Sequence, residues 1–329
     1  MSAAPLPRKP LNKMKNGYTV DLFHRYEGNP ILTPAMWPYA CNTVFNCGAT
    51  RLPNGETLLL VRVEDRRGIS HLTIARSDNG ITNWRIDPQP TLLPDEGPNS
   101  DEIFGIEDPR IVYLPELGKY SITYTGYSES GPHVKLALTE DFREFEKLGC
   151  VQPPEDKDAA LYPRRFDGRW VMIHRPVSLI GGRADMWLSF SPDLIHWGGH
   201  QIILHARRGA WWDAERIGLS PPPIETPEGW LILYHGVRKT PSGCIYRLGA
   251  ALFDANDPTR LIRRGNEWIF GPEEEYEQVG DVADVVFPCG YTLEDDGDTI
   301  RLYYGAADST VALAMGSIKE ILRWLKTQV

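Results

Sequence analysis

Short apolar runs recur along this chain in pairs, each pair divided by a turn and closed by polar residues. The first pair spans Gly48–Arg62 around Asn54-Gly55, a dipeptide that suits tight hairpins because both residues accept positive φ. The same strand, turn and strand return at Pro109–Thr125, Tyr162–Arg175, Pro222–His235 and Pro288–Tyr304. An outer half repeats as well: Leu72–Gly80 followed by Trp84, Val134–Phe142 followed by Phe145, and Met186–Leu194 followed by Trp197. Each reads as a strand, an acid-bearing turn and an aromatic that covers the strand pair. Four strands per unit, repeated five times at a spacing of roughly 55–65 residues, predict an all-β, five-bladed β-propeller. A two-sheet sandwich also has many short strands, but not the same turn and the same polar strand end at a fixed period.

One domain over residues 1–329 follows, with an N-terminal arm over 1–20 and a C-terminal helix over 317–329. Ser317 and Glu320 have capping-box spacing, and Ile318, Ile321, Leu322 and Leu325 fall on one helical face. The arm is rich in Pro and Lys without a continuous apolar core, so it reads as neither a signal peptide nor a membrane span. Pro94–Glu102, Gln152–Asp156 and Gly271–Gly280 read as blade-to-blade connections.

Composition narrows the partners. A net charge of −9 argues against binding nucleic acid or an anionic membrane. Five cysteines with no Cys-x-x-Cys spacing indicate neither a disulfide framework nor a zinc ribbon, which points to a reducing, cytoplasmic setting. The eight histidines are scattered, and no phosphate loop, dinucleotide fingerprint or nucleophile elbow is present, so neither a metal nor an organic cofactor is expected.

The polar strand ends carry the chemistry. In Ile103–Arg110 two adjacent acids and an arginine sit between apolar residues, a costly place for charge unless it is used. A propeller gathers such ends around its axis: Arg62 and Glu64, Asp108 and Arg110, Lys157 and Asp158, His174 and Arg175, Arg216 and His235, and Asp308. A solvated rim of salt bridges is the bland alternative. Lys157, Arg175, Arg216 and His235 would place four donors around one point, too much positive charge for a neutral sugar and suited to an oxyanion such as phosphate. Asp108 and Asp308 supply an acid and a hydroxyl acceptor.

Asn42–Gly48, Arg62–Ser70, Ile106–Arg110, Lys157–Pro163, His174–Pro176, Arg216–Gly218 with Pro221–Ile224, and Tyr234–Gly236 together resemble glycoside hydrolase family 130, from about Phe23 to the end. That family consists of five-bladed propellers acting on β-mannosides, mostly as inverting phosphorylases. The resemblance implies Asp108 as general acid, and Lys157, Arg175, Arg216 and His235 as a phosphate clamp. It also implies Asn42, Arg62 and Asp308 as ligands of the mannosyl unit, and Tyr246, Glu277 and Asp284 as contacts of the leaving sugar. Arg216 stands where many members have lysine, and Asp284 where many have asparagine. The implied activity is cleavage of a β-mannosyl disaccharide or short oligosaccharide by inorganic phosphate, a co-substrate, giving α-mannose 1-phosphate and a shortened sugar. The alternatives are a β-mannosidase on the same scaffold, in which water replaces phosphate, and a non-catalytic sugar-binding propeller. The oligomeric state stays open.

Overall fold

The structure, a computed structural model, describes residues 21–97, 100–177, 184–241 and 243–328. The arm expected over 1–20 and the last residue of the expected helix lie outside the described residues. The chain forms five antiparallel sheets, one per predicted unit. The first blade runs outward from the axis through Thr43–Arg51, Thr57–Glu64, Ser70–Ser77 and Arg85–Ile86. The second uses Ile106–Leu114, Lys119–Ser128, Gly131–Thr139 and Glu146–Gln152. In the third blade, Asp156–Leu161, Trp170–Pro176, Met186–Ser191 and Gly198–Leu204 follow in order. Its inner strand therefore begins earlier than the Tyr162 start read from sequence, and Lys157 and Asp158 lie within it.

The fourth blade splits its inner strand into Arg216–Leu219 and Ile224–Thr226, both paired with Gly229–Thr240. Pro221, Pro222 and Pro223 sit at the break, where three residues without an N–H cannot continue a ladder. Gly243–Phe253 and Leu261–Arg264 complete this sheet. The fifth blade takes Val286–Leu293, Thr299–Ala306 and Thr310–Ser317 from the C-terminal part, and its outer strand, Phe23–Arg25, from the other end of the chain. This pairing closes the ring. Arg25 holds the closure by a two-pronged bond to Glu277, at 2.8 Å from each carboxylate oxygen.

The core is divided among the five blade-to-blade seams. Alternate residues of one strand enter different seams: Leu58 and Leu60 pack against the second blade, while Leu59 and Val61 pack against the fifth. A strand covered on both faces reads as an unbroken apolar run, which is why Leu58-Leu59-Leu60-Val61 shows no alternation. Burial of each such side chain contributes about 1.5–3 kcal/mol. The C-terminal helix Ile318–Thr327 begins at Ser317, whose hydroxyl accepts from the Glu320 N–H at 3.2 Å. Its buried stripe of Ile318, Ile321, Leu322 and Leu325 covers the seam between the fourth and fifth blades. No described helix is long and apolar enough to cross a membrane.

Candidate active site

One backbone device recurs around the axis. In each of the first three blades the inner strand carries one extra residue: Phe45 pairs with Arg62 but Gly48 with Leu60, Glu107 with Thr125 but Arg110 with Thr123, and Lys157 with Arg175 but Ala160 with Ile173. Inside each bulge one residue adopts left-handed backbone: Asn46 at φ 41°, Asp108 at φ 52° and Asp158 at φ 57°. Asn and Asp tolerate this region better than other residues with a Cβ, and the bulge re-aims the side chain. The fifth blade reaches the same place differently, through Asp308 at φ 49° after its second strand. All four side chains line one cavity of about 160 Å³.

The cavity is completed by Arg62, Lys157, Arg175, His235 and Tyr246, with an apolar wall of Val282, Val285 and Phe287. Of the eleven residues given roles by the family resemblance, seven thus meet there: Asp108, Lys157, Arg175, His235, Arg62, Asp308 and Tyr246; Asp158, singled out beside Lys157, joins them. Arg216 stands just behind, its guanidinium donating to the Tyr246 hydroxyl at 2.6 Å. The other three are elsewhere. Asn42 is exposed on the rim and donates to Asp281 at 3.0 Å. Glu277 is fully buried, where it accepts from Arg25, from the Tyr304 hydroxyl at 2.7 Å and from the Glu273 N–H at 2.7 Å. The Asp284 carbonyl accepts from the Tyr246 N–H at 3.1 Å, and its side chain is outside the lining.

Sequence reasoning passed over Asn46. The signal was the spacing itself, since Phe45-Asn46-Cys47-Gly48 aligns with Glu107-Asp108-Pro109-Arg110 once each is recognised as a bulge.

Charge is arranged in two zones. Asp108 accepts from Asn46 Nδ2 at 2.9 Å and from Arg62 at 3.1 Å. Burial alone would push its carboxyl up, but Arg62, Lys157 and the Asn46 hydrogen bond together hold it below the usual range. Burial dominates at Asp308 and pushes it up to about 7. Lys157 lies 3.7 Å from Glu107, and despite burial the carboxylates of Glu107, Asp108 and Asp158 keep it charged, its pKa raised. His235 is pushed down to about 4, chiefly by burial, so its imidazole is neutral near pH 7 although Asp158 lies 3.4 Å away. Carboxylates and amides beside an apolar wall suit a sugar ring, and the cations of the third blade suit an anion next to it. Among the described residues no group of three or more His, Cys, Asp or Glu is arranged to hold a metal.

Residues 14–327 match the sequence model of glycoside hydrolase family 130, described as beta-1,4-mannooligosaccharide phosphorylase. The chain belongs to this family. Among similar proteins, the beta-1,2-mannobiose phosphorylase of Listeria innocua is 34% identical over 93% of this chain and 99% of that protein. A solved complex of that enzyme type from Listeria innocua with beta-1,2-mannobiose matches with a TM-score of 0.83 at 32% identity, over 93% of this chain and 99% of the other. The beta-1,4-mannooligosaccharide phosphorylase of Ruminococcus albus is 31% identical over 93% of this chain and 92% of that protein. A further solved structure, from work on family 130 glycoside hydrolases that target beta-1,2 mannosidic linkages in Candida mannan, matches with a TM-score of 0.78 at 29% identity, over 90% of this chain and 94% of the other.

Proposed function

We propose that this protein is an inverting β-mannoside phosphorylase, cleaving a β-mannosyl disaccharide or short oligosaccharide with inorganic phosphate to give α-mannose 1-phosphate and a shortened sugar. The observation that carries the reading is that charged Lys157 and Arg175 share one small cavity with Asp108, Asp308 and an apolar wall. Water needs a carboxylate base to attack a glycoside, whereas phosphate is already a nucleophile and needs only a cationic cradle.

The layout of the cavity supports the following division of labour. Asn46, Arg62 and Asp308 surround the place for the mannosyl ring, with Phe287 and Val285 as its apolar support. Tyr246, steadied by Arg216, faces the departing sugar. Asp108 is the proton donor to the departing oxygen, directly or through a mannosyl hydroxyl. Before phosphate binds it is ionised, because Arg62 and Lys157 outweigh burial and stabilise its charge. A phosphate dianion that engages Lys157 removes part of that stabilisation and adds a negative charge nearby, and both effects raise the affinity of Asp108 for a proton. The nucleophile thus prepares the acid. Run in reverse, the same site transfers a mannosyl group from mannose 1-phosphate to a sugar acceptor.

All five cysteines are free thiols, which supports a reducing, cytoplasmic setting. The reading is tested by truncating Arg175 to Ala. The KM for phosphate should rise much more than that for the sugar, with a lost charged hydrogen bond costing about 1.5–3 kcal/mol. An unchanged phosphate dependence would favour the mannosidase reading, in which the cations only balance carboxylates.

A further inference from the structure

Phosphate needs cations, yet a carboxylate lies among the cations that would bind it. Asp158 has no exposed side-chain surface and lines the cavity. Its Oδ1 is 3.5 Å from Arg110 of the second blade. Its Oδ2 accepts from Arg175 Nε at 2.7 Å and NH2 at 2.6 Å in the third blade, and lies 3.4 Å from His235 Nε2 in the fourth. A buried carboxylate is costly unless its partners are fixed.

Arg110 is such a partner. It crosses from the second blade to donate to the Ser220 carbonyl at 2.6 Å and the Leu219 carbonyl at 2.8 Å, and it also donates to the Asp108 carbonyl at 3.1 Å. Being fully buried and bonded to three backbone groups, it forms a rigid floor. Asp158 stands on that floor and holds two side chains above it. Arg175 is gripped through two of its nitrogens, and a planar guanidinium fixed at two nitrogens has its remaining donors fixed too. Neutral His235 faces Asp158 through Nε2 and the Ser220 hydroxyl, 3.4 Å away, through Nδ1, which sets its tautomer with the proton on Nε2.

The neighbouring backbone leaves room for this contact. A Cβ on Gly218 would lie 2.5 Å from Asp158 Oδ2 and 2.6 Å from His235 Cε1, so only glycine permits the approach.

Resting on the phosphorolysis reading above, we propose that Asp158 is a positioning residue. From the floor made by Arg110 and under the clearance of Gly218, it orients Arg175 for the phosphate and holds the His235 ring beside it, without itself binding substrate. The opposing account makes Asp158 a counter-charge that weakens phosphate binding by repulsion. The two accounts differ in sign.

Two variants separate them. Asp158→Asn removes the charge while keeping a residue that accepts left-handed backbone. Gly218→Ala keeps the charge but displaces it. If Asp158 positions the donors, both variants raise the KM for phosphate about tenfold or more and leave that for the mannoside within about twofold, and both shrink the rise in Tm that phosphate produces. A lower phosphate KM in Asp158→Asn with Gly218→Ala unchanged would overturn the proposal in favour of the counter-charge account. Equal losses toward phosphate and sugar would overturn it in favour of a merely structural role. Should Asp158→Asn fail to fold, Asp158→Glu, which keeps the charge but not the geometry, makes the same comparison. A parent enzyme that turns over without phosphate would instead sink the phosphorolysis reading, an outcome visible before either variant is made.

Discussion

Asn46 and Asp108 meet across the seam of the first two blades, the amide donating to the carboxylate at 2.9 Å from the same left-handed position of two successive bulges. The side chain that fixes the acid is thus a structural copy of it. Gly305 makes space for Asn46, since a Cβ there would collide with the amide oxygen.

Asn46→Ala should leave the fold intact and reduce kcat/KM about tenfold or more, the loss expected from one hydrogen bond to a charged group. Because that bond is one of the interactions holding the Asp108 carboxyl down, and Asp108 must keep its proton to act, the alkaline limb of the pH–rate profile should move to higher pH. A profile that stays in place would separate Asn46 from the acid.

Asp108→Asn should fold normally and lose phosphorolysis by about two orders of magnitude or more, the scale of a removed general acid. Activity within a few fold of the parent would reassign the proton donor, with Asp308, whose pKa is about 7, as the next group to substitute.

Asp308 also makes stability depend on pH. Unfolded, an aspartate titrates near about 3.9. Folded, this one is pushed up to about 7. Between these values the folded protein holds a proton that the unfolded chain has lost, so its contribution to stability declines as pH rises through that window and levels off above it. In Asp308→Asn this component disappears. The fall in Tm between pH 5 and pH 8 should be smaller than in the parent; an identical fall would place the titration elsewhere.

Much of this was legible in the sequence, for identifiable reasons. A strand buried on both faces and a turn with positive φ leave local marks, so five repeats were visible in Gly48–Arg62 and its copies. Asp108, Lys157 and Arg175 stood out because charge at an apolar strand end is expensive. What stayed hidden depends on distant partners. Phe23-His24-Arg25 is too short to read as a strand, and it becomes one only by pairing with Ala314–Gly316 at the far end of the chain. Glu277 is polar and near the right loop, but Arg25 and Tyr304 claim its carboxylate. Asn42 enters through the family resemblance and stands before the strand begins, whereas Asn46 reaches the cavity only because a one-residue bulge re-aims its side chain.

The ring closure supplies a separate test. Arg25→Ala would leave Glu277 charged and buried without its main partner, and should destabilise the protein by about 3–5 kcal/mol. At a temperature where the variant is folded, its KM for the mannoside should match the parent's. A selective change in that KM would instead return Glu277 to the leaving-sugar side of the site.

The most direct measurement is the product balance of mannobiose cleavage, with β-1,2- and β-1,4-linked substrate, in the presence and absence of phosphate. The cationic side of the cavity, Lys157 and Arg175, predicts no appreciable turnover without phosphate, and one α-mannose 1-phosphate for each free mannose when phosphate is supplied. Two free mannoses per bond cleaved, at a rate indifferent to phosphate, would contradict the account.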